Sequence, residues 1–484
     1  MANGIYYVDE CSGNNDDAKI AAAISAAHNN PNAPGGGGKV VLSNRTYTIT
    51  QSIVLYSNII FTGVGNSSYI SCSTDVPIIR INRGNGDSSN IEIRDMALFY
   101  ATMASSNSFH IEADRPIYLK IYNVAFYSSG RDCAGVLTWN ADADRTTPIS
   151  ANSGYAAFMT HIENCLFNHG SIWLNDSDSR IINNYIWANE TSNNNLDFAI
   201  RLSNGSVNIS GNDIVAGNDA GIYLAETCAG IRIENNYFDG SWFDANAGIS
   251  VNTGWGVYVD KARQVIILGN EFANIYLGGI YAYIAYQITI LGNVFINMSR
   301  TTDMNCHYDI ALKSDTTLST GHIVAENQHI RSFQNGQNCA VFVDGNVQAS
   351  VVNNSLLDWR QDGYDAYVKP PFYMWPNKYS IRRDNRVTNR ATGTYPYQFD
   401  EGEVTVPHNN STQTIPVSFA PDFSAQNIVP KVQDIHINFV AAASNSSVVY
   451  SIWGVSNSGF NISVRPVDSS SSSSGVFCWR VSLQ

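Results

Sequence analysis

The stretch VIILGNEFANI, from Val265 to Ile275, returns 23 residues later as ITILGNVFINM. Weaker relatives run the length of the chain: IRDMALF, IYNVAF, IENCLF, IINNYI, ISGNDI, IENNYF, VAENQH, VVNNSL and IRRDNRV. Their anchors are Asp95, Asn123, Asn164, Asn183, Gly211, Asn235, Gly269, Gly292, Glu326, Asn353 and Asp384. That is 289 residues over ten intervals, roughly 29 per copy. A fixed motif at variable spacing means a fixed scaffold with variable loops. A further strand with period-two alternation precedes the motif, in GIYLA, GISVN, GVYVD, GIYAY, DIALK and AVFVD.

One unit of about three short strands cannot bury its inward side chains alone. Coils stacked edge to edge at ~4.8 Å let the Ile, Val and Phe of each rung cover the next. The pattern therefore predicts an all-β parallel β-helix. The Asn of each GN or NN pair is expected at a turn, accepting left-handed dihedrals and bonding the Asn of the neighbouring rung. Leucine-rich and propeller repeats fit worse because their signature residues are missing. Composition agrees: 44% hydrophobic residues and 14% charged make a globular chain, rich in the aromatics and turn formers of strand proteins.

Ahead of the repeats, Asn15-Asp16-Asp17 supplies an N-cap for AKIAAAISAAH, whose Ile20, Ala23, Ile24 and Ala27 form one narrow apolar face. We expect this helix to cover the open end of the solenoid. Beyond residue 400 the Asn pattern stops, and TIPVSFAPDF, IHINFVAA, VVYSIWGVS, FNISVRPV and VFCWRVSL read as strands of an antiparallel sandwich, with Ser469–Ser474 as a hairpin loop. The expected boundaries are 1–38 for the first strand and helix, 39–398 for the β-helix and 399–484 for the sandwich.

A net charge of −13 with no basic stripe excludes nucleic acid and anionic membrane as partners, while a locally basic groove remains open to an acidic sugar. Eight widely spaced cysteines without a C-x-x-C pair read as reduced thiols, and no metal site or cofactor is expected. MANGIYYVDE has no secretory signal pattern, and no run of 18 apolar residues occurs, so synthesis in a cytoplasm is expected. Nucleotide loops, H-E-x-x-H and G-x-S-x-G are absent. The N-x-S/T triplets arise by chance in so Asn-, Ser- and Thr-rich a chain.

Carboxylates remain as the chemistry. Glycosidic cleavage takes one carboxylic acid and one carboxylate ~5 to 10 Å apart, a distance that outward positions on neighbouring rungs satisfy. Aligning the strands that begin at Gly221, Gly256, Gly279, Asp309 and Ala340 puts Asp260, Tyr283, Lys313 and Asp344 on one stripe, with Glu226 one residue beyond it. The overlong unit YFDGSWFDANAGISVNTGW adds Asp239, Asp244, Trp242, Phe243 and Trp255, acids beside rings on which a pyranose can stack. Glu226 with Asp260 is the expected catalytic pair, and Asp239 with Asp244 the alternative; Trp242, Phe243, Trp255, Tyr283 and Lys313 are the expected substrate contacts. His307 and His329 read as packing or surface residues, and Asp142-Ala-Asp144-Arg145 as a surface loop rather than a calcium site.

The DD-x-x-I-x-x-x-I helix followed by GGGKVVLSNRTYTI and LYSNIIFTGVG resembles the entry to the pectate-lyase-like β-helix superfamily, in particular bacteriophage tailspike depolymerases. The resemblance spans residues 5 to about 390 and implies a right-handed β-helix, a homotrimer, a place on the virion tail and activity on host capsule or O-antigen. It leaves hydrolase, lyase (with Lys313 or Tyr283 as base) and non-enzymatic receptor binding all open. It also implies a large N-terminal virion-attachment domain, which is not seen in this sequence; either the chain was trimmed, or the spike docks through a few N-terminal residues onto another spike. The C-terminal VSFAPDF, GFNISVRP and CWRVSL are similar to H-type lectin sandwiches, implying a trimer clamp or sugar binding.

Overall fold

The computed structural model describes residues 4–33, 35–81, 88–101, 109–128, 134–139, 157–168, 170–188, 198–215, 217, 219–240, 254–298, 308–331, 339–358, 372–374, 381–383, 385–389, 399–407, 413–418, 435–442, 448–456, 458–466 and 474–482. Among them, 38 strands form one continuous ladder, parallel throughout and built coil on coil. A typical coil holds Trp255–Asp260, Arg263–Leu268 and Glu271–Ala273 as its first, second and third strands; the next holds Gly278–Tyr283, Tyr286–Leu291 and Val294–Ile296. Like pairs with like: Val257 lies opposite Ile280, Val265 opposite Ile288 and Phe272 opposite Phe295. This is the three-stranded turn that the repeat requires. The expected strand GISVN lies outside the described residues.

The two jobs expected of one asparagine are divided between neighbours. The first residue of each GN or NN pair takes the left-handed backbone, with φ between 52° and 66° at Asp95, Asn123, Asn164, Asn183, Gly211, Asn235, Gly269, Gly292, Glu326 and Asn353. The second is buried and builds a ladder: Asn184, Asn212, Asn236, Asn270, Asn293, Asn327, Asn354 and Asn385. Each Oδ1 accepts both the backbone N–H and the Nδ2–H of the Asn one coil earlier, at 2.8–3.1 Å. Each Nδ2 also donates to a backbone carbonyl, as Asn327 does to Ile290 at 3.1 Å. Cys165 occupies the Asn position one coil before Asn184, its N–H bonding Asn184 Oδ1 and its thiol facing the Glu163 carbonyl.

Inside, a column of rings follows the axis. Phe238 and Phe272 stack at 4.5 Å, Phe272 and Phe295 at 4.9 Å, and Phe295 and His329 at 5.0 Å. Glycine makes room for these rings, since a Cβ on Gly256 or Gly279 would sit 2.6 Å or 2.4 Å from the Phe of its own coil. In the coil where His329 replaces Phe, Asp309 replaces that glycine, and the two meet at Nδ1···Oδ2 2.6 Å with Arg331 Nη2 3.0 Å from the same oxygen. His329 is thus a packing histidine, held by a coordinated swap at two positions.

The helix Asp16–His28 is capped by Asn15, whose side chain accepts from the Ala18 N–H at 2.9 Å, and it buries Ile20, Ala23, Ile24 and Ala27 against the first strands. Asp16 and Asp17 reach past the cap to accept the Thr48 and Thr50 N–H groups, and Arg45 ties Asp16 to Asp9. Hydrogen bonds, first from Arg45 and then from Ser43 and Tyr47, draw the Asp9 carboxyl down to about 2 against the opposing effect of its partial burial. After Asn389 the pairing becomes antiparallel, in two three-stranded sheets: Phe399–Pro407, Ser474–Ser482 and Ile435–Ala442, then Gln413–Ser418, Gly459–Pro466 and Val448–Trp453. Cys11, Cys72, Cys165 and Cys228 are free thiols.

The division within the NN pairs is testable in one coil. Asn327→Ala strands buried partners on three sides and should cost about 3 kcal/mol in urea unfolding, at 1–3 kcal/mol per unsatisfied group. Glu326→Gly removes the steric cost of a left-handed non-glycine residue and should gain about 1 kcal/mol. For the swapped pair, Asp309→Ala leaves Arg331 buried without its carboxylate and should cost about 3–5 kcal/mol by the same assay.

Candidate functional site

The first strands carry the stripe expected from sequence. Asp260 pairs with Tyr283, and Tyr283 with Lys313; Asp344 follows the strand paired to that rung, its N–H bonding the Leu312 carbonyl. Glu226 is 70% exposed and faces Lys261 Nζ at 3.6 Å, and Asp260 accepts the Tyr223 hydroxyl at 3.1 Å. Burial, and then the Asp260 charge, push the Tyr223 hydroxyl up to about 12. One expected substrate contact needs correction. Trp255 opens its strand 6% exposed, its ring 4.9 Å from Tyr281 and packed with Ala220, Tyr308 and Phe342, so it offers no open face for a sugar. Trp242, Phe243, Asp244, His307 and the Asp142-Ala-Asp144-Arg145 run lie outside the described residues.

The third strands bring together a group that the sequence reading left half-seen. Their inward residue is Ile186, Ile214, Phe238 or Phe272, so the residues flanking it point outward. One outward row is Tyr185, Asp213, Tyr237 and Glu271; the next is Trp187, Val215, Asp239 and Ala273. Asp213 and Asp239 therefore occupy adjacent rungs two residues apart along the strand, roughly 8 Å between Cα atoms from a ~4.8 Å rung and ~3.3 Å rise. Tyr185, Trp187 and Tyr237 flank them with 39%, 40% and 37% of their surfaces exposed. Burial first, and then the charge of Asp239, hold the Asp213 carboxyl above the usual carboxylate range. Asp239 was a candidate from sequence; Asp213 was missed. The signal was present in N-Y-I-W, N-D-I-V, N-Y-F-D and N-E-F-A, where the two outward positions of each strand can be read once Asn is known to be inside. Asp176, whose carboxyl burial pushes up to about 7, is fully enclosed and lies on neither outward face.

Two carboxylates on adjacent rungs, one of them held above the usual range, stand among exposed rings on a parallel β-helix-like scaffold. No protein-family model matches the chain, and no curated protein does. Solved structures do. The fold is similar to the Dettilon tailspike protein gp208 (14% identity, TM-score 0.59, 99% of this chain and 94% of that one). It is also similar to DFA-IIIase from Arthrobacter chlorophenolicus A6 (13%, 0.54, 79% and 99%) and to PfbA, a surface adhesin of Streptococcus pneumoniae (15%, 0.52, 76% and 93%). At these identities the likeness is one of fold.

The Asp213–Asp239 geometry has a consequence for stability. A carboxyl that titrates higher in the folded chain than in the unfolded one contributes stability that is complete below pH ~4 and is lost as pH rises through the folded value. Asp213→Asn should therefore raise Tm at pH 7 and leave it nearly unchanged at pH 4. Asp239→Asn removes the neighbouring charge and should give a smaller gain of the same sign. Equal Tm shifts at both pH values in scanning calorimetry would refute the coupling.

Proposed function

We propose that this chain is a phage tailspike that binds host surface polysaccharide and cleaves it by endo-acting hydrolysis. The observation that carries the reading is the Asp213–Asp239 pair on adjacent rungs, flanked by Tyr185, Trp187 and Tyr237. Asp213, whose carboxyl burial and the Asp239 charge hold above the usual range, donates a proton to the leaving glycosidic oxygen. Asp239 either takes a proton from the attacking water or attacks the anomeric carbon. The exposed rings hold pyranose faces on either side. Glu226 and Asp260 are the rival pair, disfavoured because Lys261 and the Tyr223 hydroxyl already engage them. Support for the biological setting comes from similarity to the Dettilon tailspike over nearly all of both chains. In this reading the helix Asp16–His28 caps the solenoid, residues 399–484 form a sandwich that clamps a homotrimer, and the assembly sits on the virion tail.

Cleavage of a panel of purified capsular polysaccharides tests the chemistry. Asp213→Asn and Asp239→Asn should each lose at least 100-fold in rate, the lower end of the ~10²- to 10⁴-fold general-acid term, while still binding polymer. Glu226→Gln and Asp260→Asn should stay within a few-fold of wild type, and the reverse pattern would move the reaction to the first strands. New ends that absorb in the ultraviolet would mark a lyase, and bound but intact polymer a receptor-binding spike. Light scattering of the full chain should give three times 53.0 kDa, and removal of 401–484 should abolish that trimer.

A further inference from the structure

The outer face of the first strands, away from Asp213 and Asp239, carries its own pattern. One outward row runs Leu137, Trp173, Arg201, Tyr223, Tyr258, Tyr281, Ala311 and Phe342, each paired to the next. Tyr223 and Tyr258 stack at 5.6 Å, and Tyr258 and Tyr281 approach to 4.9 Å. Arg201 lies on this row and Lys313 on the next, two residues beyond Ala311. The Arg201 guanidinium sits 5.2 Å from the Trp173 ring, 5.8 Å from Phe198 and 5.9 Å from Tyr223; the Lys313 ammonium sits 5.3 Å from Tyr308 and 5.6 Å from Tyr281.

Arg201 is half-buried on this row, in a chain of net charge −13. Arg45, Arg80, Arg94, Arg115, Arg232 and Arg331 each lie within 3.6 Å of a carboxylate. Among the described residues Arg201 has no such acid and makes no hydrogen bond; its Nε and the Trp173 Nε1 on the preceding rung are both shielded donors without an acceptor. Asp260 accepts the Tyr223 hydroxyl, and Glu226 faces Lys261. A planar guanidinium fixed on aromatic faces, with its fork of donors unspent, is a carboxylate receptor. From the rung of Arg201 to that of Lys313 is four coils, roughly 19 Å at ~4.8 Å each, with the tyrosines between.

Resting on the glycan reading above, we infer that this face selects an acidic polysaccharide. A sugar carboxylate seats on Arg201, a second acidic residue further along the polymer seats near Lys313, and the intervening sugars lie against the edges of Tyr223, Tyr258 and Tyr281. The site uses binding chemistry alone and leaves bond cleavage to the third-strand acids.

The test measures binding of the full-length Asp239→Asn protein to purified capsular polysaccharides, each offered native and after carbodiimide reduction of its carboxyl groups. Every polymer bound should carry carboxylates, and reduction should weaken binding at least tenfold. Adding Arg201→Gln should weaken binding to the native polymer by a similar factor and have little effect on the reduced one. The native-versus-reduced comparison needs no change at Arg201, so it decides the matter even if that variant folds poorly. Tight binding to a neutral polymer, or binding indifferent to carboxyl reduction, including binding through phosphate groups, would overturn this inference while leaving the glycan reading intact. Binding to none of the polymers would overturn both.

Discussion

The buried amide ladder is the constraint on which the solenoid depends. A parallel coil must turn tightly three times, and every turn threatens to leave backbone groups inside without partners. Asn solves this at one corner, because its Oδ1 accepts two bonds from the asparagine of the coil before, while its Nδ2 donates to the asparagine of the coil after and to carbonyls of its own coil and the coil before. The side chain behaves as an extra peptide group at right angles to the strands. It fixes both the rung spacing and the register, so every inward residue falls over its counterpart. Where the ladder begins, Cys165 takes the position with a donor of one thiol, and one coil earlier Val124 fills it with none.

Register has consequences that reach the outer surface. Because Phe stands on Phe inside, the residues beside each Phe stand on one another outside, and the chain writes functional groups in rows without disturbing the core. Asp213, Asp239, Tyr185 and Tyr237 share such rows, as do Arg201 and the tyrosines of the first strands. The cost of variation inside is higher. His329 in the ring column is accommodated only with Asp309 in the glycine slot and Arg331 beside it, since a buried imidazole and carboxylate must meet each other's hydrogen bonds.

The outward rows also set apart two kinds of chemistry. On the third strands, like charges crowd together in partial burial, which raises the proton affinity of one carboxyl and costs stability, a frequent arrangement at reactive sites. On the first strands, an aromatic row holds Arg201, which has no carboxylate partner among the described residues, and this suits recognition rather than proton transfer.

The sequence by itself determined the coil. The LGN and NN pairs, the alternation in GVYVD and GIYAY, and the helix cap at Asn15 are local signals, and each acts through bonds or contacts within one coil or between adjacent ones. The Asp260–Tyr283–Lys313 stripe was legible for the same reason, since aligned repeats are aligned rungs. Tertiary structure alone decided which side of each NN pair is buried, because the left-handed backbone of the first residue turns the second inward. It also decided that Trp255 is covered, that Lys261 and Tyr223 occupy Glu226 and Asp260, and that Asp213 lies beside Asp239. Those outcomes depend on burial and on charges brought near from coils 24 to 37 residues away, and no window of sequence contains them.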